Sequence, residues 1–475
     1  MKKFIHFGCW NQGFCNKKDN ENPYPISKVM RQLDKTLHES NGDQKYDFIV
    51  IAGDNYYPTK TEQVKSDTKT EQVKSDTKTE QVKSKTEQVK SKTEEVKSSA
   101  DTKTKKMKEI SMKTIIKENL DSGFACLPDN IEINIILGNH DLETSSKAKT
   151  FYIENSSVKE QGDCAIVKFE QEAVNKRGSL SELDLYKHKW LGNNTLVLMI
   201  DTSMYDDDDA SLFLPCYNVK TGKNYSSIEE VRREQQEFVD RIINTYSSEI
   251  KNVVIIGHHP ISGYKYKNNK INLIQSFEGL IKLLYSIHKK LHDISVRRVH
   301  PIRYYYLCAD LHLYQVGNIT IHNKQNDDIM LVKQYIVGTG GTKLDDSPFL
   351  RPELLLPAED ELSFKETGRS DDTNIEVKYN MTTEQKILST NPKYGFLSCE
   401  LSNHKMHFKF IDTDGNSYIE SDNIIHKSKP ALKSKASSLK GKASSLKSKA
   451  SSLKGKTSST TKTKTKTKTR KRHTK

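Results

Sequence analysis

The chain has 475 residues, of which 34% are hydrophobic and 29% charged, and a formal net charge of +14. The positive charge comes from appendages: residues 427–475 hold 18 Lys or Arg and no acid, and the chain outside 59–106 and 427–475 has a net charge of −8. The charge therefore gives no indication that the globular part binds nucleic acid. No apolar run reaches the roughly 18 residues that a membrane-spanning helix needs.

Short apolar runs alternate with amphipathic segments along the chain, which predicts an α/β layered fold. Strands are predicted at 4–7, 48–52, 133–137, 195–201, 253–256, 304–308 and 335–337. Helices are predicted at 26–39, 107–120, from Ser226 or Ser227 through Ile243, and at 274–289. Ser227 with Glu230 fits a capping box, and 396–397 with 408–410 predicts a closing antiparallel pair.

Residues 59–106 repeat the unit Thr-Lys-Thr-Glu-Gln-Val-Lys-Ser-Asp, which then shortens. Each unit supplies one valine, and one apolar residue cannot offset an ordering entropy of about 1–2 kcal/mol per residue. We therefore expect a disordered or transiently helical insertion; the alternative is a single charged helix held by Glu–Lys pairs. The insertion divides one globular domain into residues 1–58 and 107–426.

Residues 427–475 predict a disordered tail rich in Lys, Ser and Thr. One interpretation is that this tail serves solubility or reflects repeat expansion. The other is that it contacts a polyanion such as nucleic acid through counterion release. Oligomeric state is left open by the sequence.

The seven cysteines are scattered, odd in number and without a CxxC pair. This pattern predicts neither a disulfide framework nor a zinc finger. No secretory signal segment follows Met1-Lys2-Lys3. We therefore expect a soluble, cytoplasmic protein made in a reducing compartment.

Five of the predicted strands end in one small residue followed by a side chain that can bind a metal. The metal-binding types are Cys9, Asp54, Asn139 with His140 and Asp141, His258 with His259, and Asp310 with His312. Because α/β sheets gather ligands at the carboxyl ends of their strands, these side chains are predicted to converge. Carboxylate, amide and imidazole donors together suit one or two first-row metal ions.

Each motif also has an ordinary structural interpretation. Gly53-Asp54 is compatible with an Asx-type turn that closes a strand, 138–141 with a surface turn, and the His258-His259 pair with packed core histidines. In the functional interpretation, Asp54 bridges two metals, Tyr57 returns to the same site, and Asn139 is a neutral ligand. His140 donates a proton to a leaving oxygen, Asp141 fixes its tautomer, and His258 is favoured over His259 as ligand.

The motifs together resemble those of the calcineurin-like metallophosphoesterases, most closely the purple (tartrate-resistant) acid phosphatase branch. The residues that carry the resemblance are GDNYY at 53–57, GNHD at 138–141, GHHP at 257–260 and LCADLH at 307–312, with LVLMIDTS at 196–203 and VGTGGTKLDD at 337–346 between and after them. The resemblance covers about residues 3–415. It implies a four-layer α/β/β/α sandwich with two metal ions, of iron, zinc or manganese, that hydrolyses phosphoesters.

Carried over by position, the resemblance makes Asp54 the bridging ligand. It assigns Tyr57 and His312 to the first metal and Asn139 and His258 to the second, with His140 on the phosphate. Two residues depart from the family pattern: Cys9 stands where the family has Asp, and Asp310 where it has His. Thiolate is a softer ligand and favours zinc or iron over manganese or magnesium.

Two functions follow as hypotheses. The first is a metal-dependent phosphoesterase with His140 and Asp141 as catalytic residues. The alternative, motivated by Cys9 and Asp310, is a degenerate, non-catalytic relative that binds a polyanion or a protein partner through its basic tail. A third idea pairs Cys9 with Cys15 as a redox-sensitive ligand.

Overall fold

The computed structural model of the chain describes residues 2–40, 45–57, 117–142, 164–178, 181–206, 209–267, 270–275, 277–295, 301–345, 360–365, 374–381 and 393–420. The predicted insertion 59–106, the tail 427–475 and the first part of the predicted 107–120 helix lie outside these residues. Residues 117–126 are helical. The other helices are α1 (Pro25–Glu39), α2 (Ala165–Lys176), α3 (Ala210–Thr221), α4 (Ile228–Tyr246) and α5 (Glu278–Ser295).

The first large sheet joins parallel strands to an antiparallel edge. Its strands are β1 (Lys2–Phe7), β2 (Phe48–Ala52), β3 (Glu132–Ile136), β4 (Ser181–Leu183), β15 (Gly395–Ser402), β16 (Lys405–Asp412) and β17 (Ser417–Glu420). The order is β17-β16-β15-β1-β2-β3-β4, with β1 to β4 parallel to one another. Strands β2 and β3 lie on either side of the predicted insertion and pair directly.

The second large sheet is also mixed. Its strands are β5 (Tyr186–Leu191), β6 (Thr195–Ile200), β7 (Asn252–Ile256), β10 (Arg303–Cys308), β11 (Tyr314–Asn323), β12 (Asp328–Val337), β13 (Asp360–Lys365) and β14 (Asn374–Met381). The order is β13-β14-β11-β12-β10-β7-β6-β5, with β6, β7, β10 and β12 parallel. A separate hairpin pairs β8 (Ser262–Lys267) with β9 (Lys270–Gln275). The chain is thus a mixed α/β protein with two large sheets, as predicted in this coarser form.

Aromatic side chains pack the two sheets against each other. The Phe408 ring of β16 lies 4.3 Å from that of Tyr335 and 5.1 Å from that of Tyr305, centroid to centroid, and both tyrosines belong to the second sheet. At one edge the backbones also meet, because the Gly8 N–H donates to the Val337 carbonyl at 3.1 Å. The carboxyl ends of β1 and β12 therefore lie side by side, and this edge carries the predicted ligands.

Most predicted elements are confirmed, with two corrections. The predicted helix at 274–289 begins later, at Glu278, because Ile274 pairs with Gly263 in the β8–β9 hairpin. The capping box is wrong in detail: Ser227 is the N-cap of α4 but its side chain makes no capping hydrogen bond. Glu230 instead accepts a hydrogen bond from the Ser226 N–H at 2.7 Å.

The cysteine prediction is wrong. Disulfides join Cys15 to Cys126 and Cys164 to Cys216, with Cα–Cα distances of 6.3 and 5.3 Å. The partners are 111 and 52 residues apart in the sequence, so no local spacing of cysteines could predict the two pairs. Cys15 is therefore not a partner for Cys9, which is buried and free. Disulfides are typical of oxidising compartments and count against the expected reducing one.

Every helix among the described residues is too short or too polar to span a membrane.

Candidate metal centre

The loops after five parallel strands bring the predicted ligands to one edge of the two packed sheets. Cys9 follows β1, Asp54 follows β2, and Asp310 follows β10. All three have left-handed backbone, with φ of 51°, 51° and 43°. Such conformations are uncommon for residues other than glycine and concentrate at functional sites.

Two glycines allow these loops to approach closely. A Cβ on Gly138 would lie 2.3 Å from Asp54 Oδ1, and a Cβ on Gly53 would lie 2.7 Å from His258 Nδ1. A side chain at Gly138 would therefore displace Asp54, and one at Gly53 would displace His258 or the Gly138 backbone. The glycine at each strand end is required by this contact and not only by the turn.

One carboxylate oxygen of Asp54, Oδ2, faces one group of donors. The Tyr57 hydroxyl donates to Oδ2 in a very short contact, and the Cys9 thiol lies 3.9 Å from the same oxygen. The Tyr57 hydroxyl is also 2.8 Å from His312 Nε2. Cys9, Tyr57 and His312 thus gather on one side of Asp54.

The other oxygen, Oδ1, faces a second group. His258 Nε2 lies 3.2 Å from Oδ1, and the His140 backbone N–H donates to it at 3.0 Å. The same His258 Nε2 is 3.0 Å from Asn139 Oδ1 and 3.9 Å from Asp310 Oδ1. His258, Asn139 and Asp310 therefore gather on the opposite side of the carboxylate.

Backbone carbonyls orient both predicted ligand histidines. His258 Nδ1 lies 2.7 Å from the Ala52 carbonyl, and His312 Nδ1 lies 3.0 Å from the Lys343 carbonyl. A carbonyl can only accept, so each Nδ1 carries a proton that it donates. In the neutral ring this leaves Nε2 with a lone pair toward the centre, which is how metal-binding histidines are held in proteins.

His259 is held differently. The Thr202 hydroxyl accepts the backbone N–H of His258 at 3.1 Å and of His259 at 3.0 Å. The proton of the Thr202 hydroxyl is then donated to His259 Nδ1, 2.9 Å away. The neutral His259 ring therefore carries its proton on Nε2. His259, His258 and Asp310 also form a group whose donor atoms lie within 4.8 Å of one another.

Asp141 has a different task from the one predicted. Its carboxylate accepts hydrogen bonds from the Gly138 N–H at 2.8 Å and from the Asn55 backbone and side-chain amides at 2.8 and 3.0 Å. These bonds tie the loop after β3 to the loop after β2. Asp141 thus holds the shape of the two loops, where the sequence suggested that it orients the His140 ring.

Several residues that sequence reasoning did not single out support the centre. Asn55 links Asp141 to the Trp10 indole, which donates to its side-chain carbonyl at 3.1 Å. Asp345 accepts the His312 backbone N–H at 3.0 Å and pairs with Lys265 at 3.0 Å. Asn55 and Asp345 lie inside stretches that carried the family resemblance, which was the only available signal for them.

Asp54 and His258 are fully buried and form an ion pair, with His258 Nε2 3.2 Å from Asp54 Oδ1. Burial opposes charge on both, but the Asp54 carboxylate outweighs it and raises the pKa of His258 to about 9. Burial likewise opposes ionisation of Asp54, but the positive charges of His258 and then His140 lower its pKa. Burial, and then the charge of Asp54, raises the pKa of the Cys9 thiol well above its usual range.

This ion pair predicts how the stability of the metal-free protein depends on pH. Because the pKa of His258 is raised on folding, its stabilisation is complete below about pH 6.5 and is lost as pH rises through about 9, a change of about 3 kcal/mol. Urea unfolding in the presence of a chelator checks this between these two pH values. His258→Gln should remove most of the decrease; an equal decrease in the variant would contradict the assignment.

All seven predicted metal ligands and His140 are thus brought together by the fold, while Asp141 serves the loops. Cys9, Asp54 and His258 form a further group with donor atoms within 4.8 Å of one another. No family model and no curated protein sequence matches the chain.

Proposed function

We propose that the chain is a metal-dependent phosphoesterase whose dinuclear centre is bridged by Asp54. The observation that carries this proposal is the division of donors between the two oxygens of one buried carboxylate. Cys9, Tyr57 and His312 lie toward Oδ2, and Asn139, His258 and Asp310 lie toward Oδ1. A carboxylate that presents one oxygen to each of two donor groups is the arrangement that bridges paired metals.

The hydrogen bonding around Tyr57 fits a cation at this point. The Tyr57 hydroxyl has one proton but contacts two acceptors, Asp54 Oδ2 and His312 Nε2. His312 supplies no second proton there, because Nδ1 donates to Lys343 and burial lowers the pKa of the ring. A metal ion would satisfy all three groups at once. The mixture of thiolate, phenolate, carboxylate and imidazole suits iron or zinc, with manganese less well matched to the thiolate.

The fold supports the same proposal. Two mixed sheets pack face to face, and α1 lies against β15 of the first sheet while α4 and α5 contact each other. We propose that these elements form the four-layer α/β/β/α sandwich of the metallophosphoesterases. Cys9 and Asp310 keep their donor atoms toward Asp54 and His258, which favours an active centre over the degenerate alternative.

The chain's own residues have distinct parts in hydrolysis. The bound metals would supply a nucleophile near neutral pH and neutralise charge on the phosphoryl group. Asp54, Cys9 and His258 are buried, whereas Asn139 and His140 are partly exposed to solvent. The His140 N–H is anchored on Asp54, which places its ring beside that of Tyr57 at a centroid distance of 5.1 Å. This position supports our proposal that His140 gives a proton to the departing oxygen.

Elemental analysis of the purified full-length chain, combined with hydrolysis of an aryl phosphate, tests the proposal. We expect two more transition-metal ions per chain than the Asp54→Asn protein binds, and turnover that is lost on chelation and restored by zinc or iron. A chain that takes up no metal at the centre under several reconstitution conditions would overturn the proposal.

Replacing the unusual thiol should change the metal preference. We expect Cys9→Asp to keep activity and to shift the ratio of manganese to zinc affinity by about 10–100-fold toward manganese, because carboxylate is the harder ligand. The measurement is competition between the two metals in equilibrium dialysis. Cobalt-loaded wild-type protein should also show thiolate-to-metal absorption that Cys9→Asp lacks. An unchanged ratio and spectrum would show that Cys9 is not a ligand. Cys399→Ser, which changes another buried free thiol, is the matched control.

A further inference from the structure

A second cluster of metal-binding side chains lies far from the candidate centre. It consists of His288 and His292 on α5 and Asp328 at the first position of β12. The candidate centre adjoins the other end of this strand, where Val337 contacts Gly8. β12 has ten residues, and at a rise of about 3.3 Å per residue its ends are about 30 Å apart.

The geometry of the cluster is that of a three-ligand site. His288 and His292 are four residues apart on a helix and therefore lie on the same face, with ring centroids 5.3 Å apart. His288 Nε2 is 3.2 Å from Asp328 Oδ1. One donor atom from each of the three residues lies within 4.8 Å of the other two.

Neighbouring residues orient the Asp328 carboxylate, and one side of the cluster is open to solvent. The Tyr285 hydroxyl, one turn before His288, donates to Asp328 Oδ2 at 3.0 Å and so orients the carboxylate while Oδ1 faces the imidazole. His288 is buried and packs against the Tyr304 ring at 5.4 Å. His292 is exposed, so a metal ion can reach the cluster from solvent.

We propose that His288, His292 and Asp328 bind one divalent transition-metal ion, with zinc as the natural occupant. Two imidazoles and one carboxylate are a common zinc ligand set, and the exposed side leaves the fourth position to water. The ion would join α5 to the turn between β11 and β12. This site is independent of the phosphoesterase proposal and serves to clamp the second sheet to its helix.

A neighbouring histidine on the same hairpin provides the matched control. His322 lies 3.1 Å from Asp327 Oδ1, and its other ring nitrogen lies 3.7 Å from Glu376 Oε2. Its two carboxylate partners lie on different ring nitrogens, and among the described residues His322 belongs to no group of three donors that lie within 4.8 Å of one another. His322→Gln thus removes a histidine–carboxylate pair without affecting the proposed site.

The experiment titrates Co²⁺ into metal-free, full-length Asp54→Asn protein, in which the candidate centre is disabled, and follows visible absorption and stoichiometry. We expect one ion per chain without thiolate absorption, and binding about 100-fold weaker or lost when His292→Gln or Asp328→Asn is added. Added His322→Gln should leave binding unchanged. Zn²⁺ should raise the melting temperature of the Asp54→Asn protein but not that of the His292→Gln double variant. No bound ion in the Asp54→Asn protein, or equal binding after His292→Gln, overturns this proposal and leaves the phosphoesterase proposal untouched.

Discussion

We expect Asp54→Asn to remove metal from both sides of the candidate centre and to lower turnover of an aryl phosphate by about 10³-fold or more. The metals contribute several kcal/mol to such a reaction, and each 1.36 kcal/mol is a factor of ten in rate. An amide carries no charge and cannot offer an anionic oxygen to each donor group. Elemental analysis and steady-state kinetics on the same preparation measure both effects.

The fold should survive this substitution. His258 would lose its charged partner, but a buried imidazole releases its proton more readily than it stays charged and unpaired. Asp412→Asn is the matched control, since Asp412 is also fully buried and accepts backbone N–H groups of Asp414 and Asn416 at 3.0 and 2.8 Å. If Asp54→Asn lost only one metal, or if both variants lost activity equally, the bridging role would be wrong.

The strands that position the centre could be predicted because they are buried on both faces. β2, with the sequence Phe-Ile-Val-Ile-Ala, and β7, with Asn-Val-Val-Ile-Ile, are buried throughout. Apart from Asn252 at the start of β7, both are continuous apolar runs. Parallel strands end at the same edge, so a side chain just after each run is placed near the others. Asp54 and His258 could be assigned to one site on this argument alone.

The partners of each side chain could not be predicted from the same argument. Asp141 directly follows His140, yet its carboxylate turns to Asn55, 86 residues earlier in the chain. Thr202 lies after a strand that carries no predicted ligand, yet its hydroxyl decides the tautomer of His259. Both depend on which loops become neighbours, and local sequence does not encode that.

The prediction that the chain has no disulfide framework was wrong for a related reason. An odd number of scattered cysteines gave no pairing, and only the packing of the 117–126 helix beside the loop after β1 brings Cys126 to Cys15. Cys9 lies in that same loop yet remains a free thiol toward Asp54. Cys15 is therefore disulfide-bonded and Cys9, six residues earlier, is a free thiol, because the two side chains face different neighbours.

A second large effect is expected at His140, the proposed proton donor. We expect His140→Gln to lower turnover by about 10²–10⁴-fold, the usual contribution of general acid catalysis, while both metals stay bound. The reason is that the His140 backbone N–H, not its ring, contacts Asp54, and glutamine retains that N–H. Metal content and kcat of the variant are the two measurements.

The contrast with His312→Gln makes this prediction specific. The His312 ring reaches the Tyr57 hydroxyl and is held by the Lys343 carbonyl, so its loss should remove metal as well as turnover. An aryl phosphate with a more acidic phenol needs less help from a proton donor, so it should recover much of its rate in His140→Gln and none in His312→Gln. If His140→Gln lost metal, or if the leaving group made no difference to it, His140 would be a ligand or a positioning residue and not the acid.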